Sequence, residues 1–114
     1  MPYYHKINLG TRTWHPIILY IRIRHEIRFG EPKRLSNLAK HGLDFADVEE
    51  GFDFDGAIVL PAKPSRTGRA RFQLIGELNG ILIVAIVGSA LGSEAFSIIN
   101  LRPASQKECE LHES

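Results

Sequence analysis

The stretch that decides the fold runs Arg71-Phe72-Gln73-Leu74-Ile75-Gly76-Glu77-Leu78-Asn79-Gly80-Ile81-Leu82-Ile83-Val84-Ala85-Ile86-Val87. Two apolar, β-branched-rich runs flank Asn79-Gly80, and both central residues of a type I′ turn need positive φ. The pair therefore predicts a β-hairpin with strands over 71–78 and 81–87. Upstream, residues 57–60 read as a short strand, followed by a Pro- and Gly-punctuated loop that carries Lys63, Arg66 and Arg69 and no acid. Downstream, residues 96–101 read as a further strand, and Pro103 can open a terminal helix. Consecutive strands on short turns imply a mainly antiparallel sheet of about four to five strands. With helices packed against it, this is an α+β domain.

Before the hairpin the period changes. Ile17, Leu19, Ile21, Ile23, Ile27 and Phe29 share one parity and Tyr20, Arg22, Arg24, Glu26 and Arg28 the other, so residues 17–29 predict a half-buried strand. Gly30-Glu31-Pro32 then suits a helix start, and Gly42 a left-handed stop. At ~100° per residue, Lys33, Asn37, Lys40 and His41 share one face of this helix. Leu35, Leu38 and Ala39 take the other, which is expected to pack. A second helix is expected over 45–52, capped by Asp44, with Phe45, Val48 and Phe52 aligned. That makes two N-terminal helices and one C-terminal helix. Residues 44–55 hold six acids and no base. Oxygen ligands for a divalent metal are conceivable there, but helix-dipole compensation and solvation explain the acids more simply.

The chain of 114 residues, 44% hydrophobic and 24% charged, fits one soluble domain with a modest core. A single cysteine, Cys109, excludes an intramolecular disulfide framework. No apolar run is long enough to span a bilayer, no secretory signal is evident, and the cytoplasm is the expected compartment. The net charge of +1 hides an asymmetry: residues 1–30 hold five bases against one acid, the rest nine against twelve. So little overall charge excludes a general nucleic-acid coat, and any nucleic-acid contact must be local.

The ordered set Phe29, Lys33, Asn37, Lys40-His41-Gly42, Phe45, Phe52-Asp53, Arg71-Phe72, Gly76, Asn79-Gly80, Ile98-Ile99-Asn100-Leu101-Arg102-Pro103-Ala104 and Lys107-Glu108 resembles the BrnT family of ribonuclease toxins. The resemblance covers about residues 27–114, the expected toxin domain, and leaves residues 1–26 as an N-terminal extension. It implies a RelE-like fold and an endoribonuclease that needs no metal or other cofactor. It also implies a BrnA-like ribbon-helix-helix antitoxin as partner, with operator DNA reached only through that antitoxin and room for a homodimer in the complex. The chain departs from the family pattern at Phe29-Gly30 (usually Trp-Asp), at Asn100 (a serine) and at His112 (a tyrosine). Arginines that the family tends to carry are absent from residues 87–92 and from Ser97.

Metal-free cleavage of RNA needs a base for the 2′-hydroxyl, a cation for the phosphate oxygens and an acid for the departing 5′-oxygen. His41 can serve in either proton role near neutral pH. Lys33 and Lys40 add charge on the same helix face, and Arg71 and Arg102 belong to strands that could hold a guanidinium on a phosphate. Lys63, Arg66 and Arg69 are the expected RNA-binding bases. Each residue has a plainer rival role: His41 as a helix-end cap, the lysines as solvated charges, Arg102 as a partner for Glu108. Two other functions compete with the nuclease. One is a non-enzymatic relative that only binds the antitoxin in an operator-bound complex, the other a small RNA-binding domain working through its basic tail and loop.

Overall fold

In a computed structural model the described residues are 26–91 and 95–114. Among these residues nine elements follow one another: β1 (Ile27–Arg28), α1 (Glu31–His41), a 3-10 turn (Phe45–Asp47) leading into α2 (Val48–Gly51), β2 (Ile58–Ala62), β3 (Arg71–Leu78), β4 (Leu82–Leu91), β5 (Ala95–Pro103) and α3 (Gln106–Glu113). The five strands form one sheet in the order β1-β5-β4-β3-β2. It is mixed, because β1 runs parallel to β5 while the other three pairings are antiparallel. Only residues 27–28 of the strand expected over 17–29 fall in a described strand; residues 17–25 lie outside the described residues. No helix among the described residues is long and apolar enough to cross a membrane.

The hairpin forms where the sequence places it. Asn79 and Gly80 take φ of 57° and 68°, and Ile81 N–H closes the turn on Leu78 O at 3.2 Å. Ile81 stays in the turn, so β4 begins one residue late and runs four residues further than the 81–87 expectation. Above the sheet, Phe45, Val48 and Phe52 bury against Leu74, Leu78, Val84, Ile86, Phe96, Ile98 and Leu101. The opposite face carries a smaller cluster of Ile58, Ile75 and Ala85, with Leu111 of α3 packed on it. α3 starts three residues after Pro103, which ends β5. Ser105 is the N-cap, its hydroxyl accepting from Glu108 N–H while Glu108 Oε1 accepts from Ser105 N–H, the reciprocal capping box of Ser-x-x-Glu.

α1 packs with a face turned roughly a quarter-turn from the one expected: Arg34, Leu38 and His41 are half-buried around Asn37, while Lys33 and Lys40 stay exposed. Gly42 stops it at φ 71°, as read, donating to Leu38 O at 2.8 Å. Yet Leu35 is 55% exposed and Ala39 is exposed, whereas Asn37 is buried at 8%. The reason is an uncovered strand edge. β1 pairs only with Phe96 and Ser97 of β5, and further along Asn37 takes over. Its Nδ2 donates to Leu101 O at 2.7 Å and its Oδ1 accepts from Leu101 N–H at 3.2 Å, as a neighbouring strand would. A second donation, to Leu43 O at 3.2 Å, ties the helix end to the same point. Polarity at Asn37 thus serves packing.

The acidic segment is also accounted for. Arg34 holds Asp44 with two parallel bonds, Nε to Oδ1 at 2.8 Å and Nη2 to Oδ2 at 3.0 Å, and its Nη1 donates to Glu31. Asp44 also accepts from Ala46 N–H, the expected cap. Its carboxyl is held below the usual range, chiefly by Arg34, and the Arg34 guanidinium is held above its own, chiefly by Asp44. Among the described residues no cluster of three or more His, Cys, Asp or Glu could hold a metal ion.

Candidate functional site

Two adjoining cavities lie where α1 and the loop before β3 meet β5. The larger, about 330 Å³, is lined from α1 by Pro32, Lys33, Ser36, Asn37, Lys40 and His41, and from β5 by Ile99 and Asn100. The smaller, about 240 Å³, shares Lys33 and Ile99 and adds Ser65, Thr67 and Arg69 from the loop, Arg71 of β3, Ser89 of β4 and Ser97 of β5. The shared residues make them one groove.

A break in the β4–β5 ladder shapes its middle. Val87 opposes Asn100 but Gly88 opposes Ile98, so Ile99 is the extra residue of a β-bulge. Bulges bend a strand and redirect a side chain, and here the unpaired residue lines both halves of the groove. Gly88 beside it has no room for a side chain: a Cβ would stand 2.5 Å from the Phe96 ring and 2.5 Å from Ser97 O. Ser89 and Ser97 are direct partners across the ladder. Their small side chains leave open the space between Arg71 and Lys33.

Among the described residues the groove is basic: Lys33, Lys40, Arg69, Arg71 and His41 line it, and no carboxylate of those residues does. Among the described residues the arginine and lysine ion pairs join Arg28 to Glu26, Arg34 to Glu31 and Asp44, and Arg102 to Glu108. None of the groove's cations takes part. Arg71 Nε and Asn100 Oδ1 are both buried with no hydrogen-bond partner among the described residues. Such atoms are uncommon in folded proteins, and an unmet one costs about 1–3 kcal/mol. Uncompensated cations walled by hydroxyls favour an anionic ligand, and phosphate oxygens suit both donor types.

Of the eight candidates read from sequence, five converge: Lys33, Lys40, His41, Arg69 and Arg71. Lys63 and Arg66 are exposed on the loop and line neither cavity. Arg102 is not brought to the groove, because Glu108 holds it through Nη1–Oε1 at 2.7 Å and Nη2–Oε2 at 2.8 Å. Glu108 also accepts from the Gln73 amide and Ser105 N–H. Its carboxyl is thereby drawn down to about 2, with Arg102 the largest cause. Arg102 fastens α3 to the sheet. Ser89, Ser97, Ile99 and Asn100 are lining residues that sequence reasoning did not assign. The Ile98-Ile99 doublet was the available signal, since apolar positions shift parity there.

Comparison with known proteins gives the chain a family. Residues 29–108 match the family model described as the ribonuclease toxin BrnT of type II toxin–antitoxin systems. The crystal structure of the Brucella abortus ribonuclease toxin BrnT is similar to the chain at 45% sequence identity and a TM-score of 0.59. The match covers 71% of this chain and 97% of that one. No curated protein matches.

Proposed function

The chain belongs to the BrnT family of ribonuclease toxins of type II toxin–antitoxin systems, and on that premise we propose that it is a cytoplasmic endoribonuclease that cuts RNA without a metal. Membership of such a system implies an antitoxin partner; we propose a BrnA-like ribbon-helix-helix protein, through which alone operator DNA is reached. The observation that carries the nuclease reading is the groove lined by His41, Lys33, Lys40, Arg69 and Arg71 with no carboxylate among the described residues. In the reaction we propose, the 2′-oxygen bonds to phosphorus as the bond from phosphorus to the 5′-oxygen breaks, leaving a 2′,3′-cyclic phosphate and a 5′-hydroxyl. His41 takes the proton from the attacking oxygen or gives one to the departing oxygen, and solvent serves at the other. Arg71 and Lys33 carry the charge that gathers on the phosphate oxygens. Lys40 supports that field, Arg69 holds the strand beside it, and Lys63 and Arg66 meet more distant phosphates. Arg102 supports the reaction only by fixing α3.

The test is cleavage of RNA by the chain freed of its partner, with a chelator present. Arg71→Ala should slow it by ~100-fold or more, the scale for losing one preorganised charge-stabilising donor. Folding should be intact, because among the described residues Arg71 forms no ion pair. Equal rates would remove Arg71 from the mechanism. A second reading has its own observation: residues 87–92 and Ser97 hold none of the arginines that the family resemblance leads one to expect. Folded wild type that neither cuts RNA nor arrests growth would favour a relative that only binds its antitoxin.

A further inference from the structure

The two halves of the groove share Lys33 and Ile99 and differ in what surrounds them. Around Arg71 the rest of the lining is cation and hydroxyl. Beneath α1, beside Ser36, Lys40 and His41, it adds the apolar surface of Pro32, and its volume of about 330 Å³ lies at the small end of organic-ligand sites. Two amides line this half. Asn37 is spent on backbone groups at Leu43 and Leu101. Asn100 makes no side-chain hydrogen bond among the described residues, and its Oδ1 is buried without a partner. An asparagine amide sets one acceptor beside one donor, and its terminal torsion is broad enough for the pair to turn toward a ligand.

We propose that this half of the groove holds one nucleobase of the RNA, that Asn100 reads the base's edge, and that adenine is the base it favours. The proposal rests on the ribonuclease reading for the polymer it names. Adenine carries an amino group next to a ring-nitrogen acceptor, the edge with which an asparagine amide forms two bonds at once. Pro32 and Ile99 supply apolar surface for the ring. The shared Lys33 and Ile99 place the adjoining phosphate beside Arg71. A nucleoside 3′-monophosphate is the smallest unit spanning both halves.

Calorimetric titration of the full chain with inorganic phosphate and the four nucleoside 3′-monophosphates tests this without requiring cleavage. The adenosine nucleotide should bind ~10-fold tighter than phosphate and ~5-fold tighter than the uridine nucleotide, the low end for one bidentate base contact. Arg71→Gln should weaken phosphate and all four nucleotides together. Asn100→Leu should leave phosphate unchanged and bring the four nucleotides to one common affinity. Asn100→Ser should do the same with less disturbance of packing, so it decides the matter if the leucine variant folds poorly. Asn100→Asp should turn the preference to guanosine, whose two adjacent N–H groups suit an acceptor-only carboxylate. Adenosine nucleotide binding no tighter than phosphate would overturn the proposal. So would a folded Asn100→Ser that keeps the wild-type base preference. Intact RNA alongside Asn100-dependent adenosine binding would sink the nuclease reading and keep this one.

Discussion

Asn37 should matter more to stability than any apolar residue on its helix. Asn37→Ala removes two donated bonds, to Leu101 O and Leu43 O, and one accepted from Leu101 N–H. Leu101 is 0% exposed, so water cannot easily replace the amide there. A buried group left unmet costs about 1–3 kcal/mol; the three here lie toward the low end, at about 1–1.5 each, and alanine's better helix propensity returns about half a kcal/mol. The net loss is about 2–4 kcal/mol. At roughly 4–6 °C per kcal/mol for a domain of this size, the melting temperature should fall by about 10–20 °C. Leu35→Ala on the exposed side should stay within about 0.5 kcal/mol. Ordinary amphipathic reasoning reverses that order, assigning about 2–5 kcal/mol to a core leucine and almost nothing to a surface asparagine. Thermal and urea unfolding followed by circular dichroism separates the two. A melting temperature for Asn37→Ala within about 3 °C of the parent, or a larger loss for Leu35→Ala, would refute the view that Asn37 closes the β5 edge.

Three further outcomes follow from local geometry. Glu108 has its pKa lowered from 4.5 to about 2 in the folded chain, so its contribution is complete above about pH 4.5 and fades as pH falls toward 2. Solvent screening at the partly exposed pair trims this to about 1–2 kcal/mol. Urea midpoints at pH 6 and pH 2 should therefore differ less in Glu108→Gln than in the parent, with Asp44 supplying an acid sensitivity common to both. Gly88→Ala should cost about 1–3 kcal/mol or more, because its methyl would meet the Phe96 ring and Ser97 O; unchanged melting would show that the bulge yields. Gly30→Asp should raise stability by about 0.5–1 kcal/mol in the same assay, since Gly30 is an N-cap without a side-chain bond and only Pro32 Cδ, at 4.0 Å, stands near an added Cβ.

Much of the frame was legible because local rules fix it. Asn79-Gly80 dictates the hairpin, Gly42 the end of α1, and Asp44 the start of the following turn, each through conformations or bonds within a few residues. The Arg34–Asp44 pair was not read, although only ten residues separate its members; it forms because Gly42 reverses the chain. The helix face was misread for a deeper reason. Periodicity counts side-chain polarity and is blind to a backbone edge two segments away that needs an amide. The Ser105-Gln106-Lys107-Glu108 spacing held a readable capping box, and with it the position from which Glu108 reaches Arg102.

The groove was the least legible feature, since four separate segments meet in it and what joins them is partly the absence of bulk. Lys33 sits on the helix that borders β5, and Arg71 on β3 with β4 between them. Strands lie about 4.8 Å apart, so these two side chains must reach across roughly two strand spacings to act on one ligand. Valines or leucines on the intervening face would fill that span. Ser89 and Ser97 do not, and the bulge at Ile99 marks where the cavity beside Asn100 opens. Small residues are silent in a hydropathy pattern, yet here their size lets basic side chains of α1, the loop and β3 surround one space. A search for charged residues finds the cations and passes over the serines that let them converge.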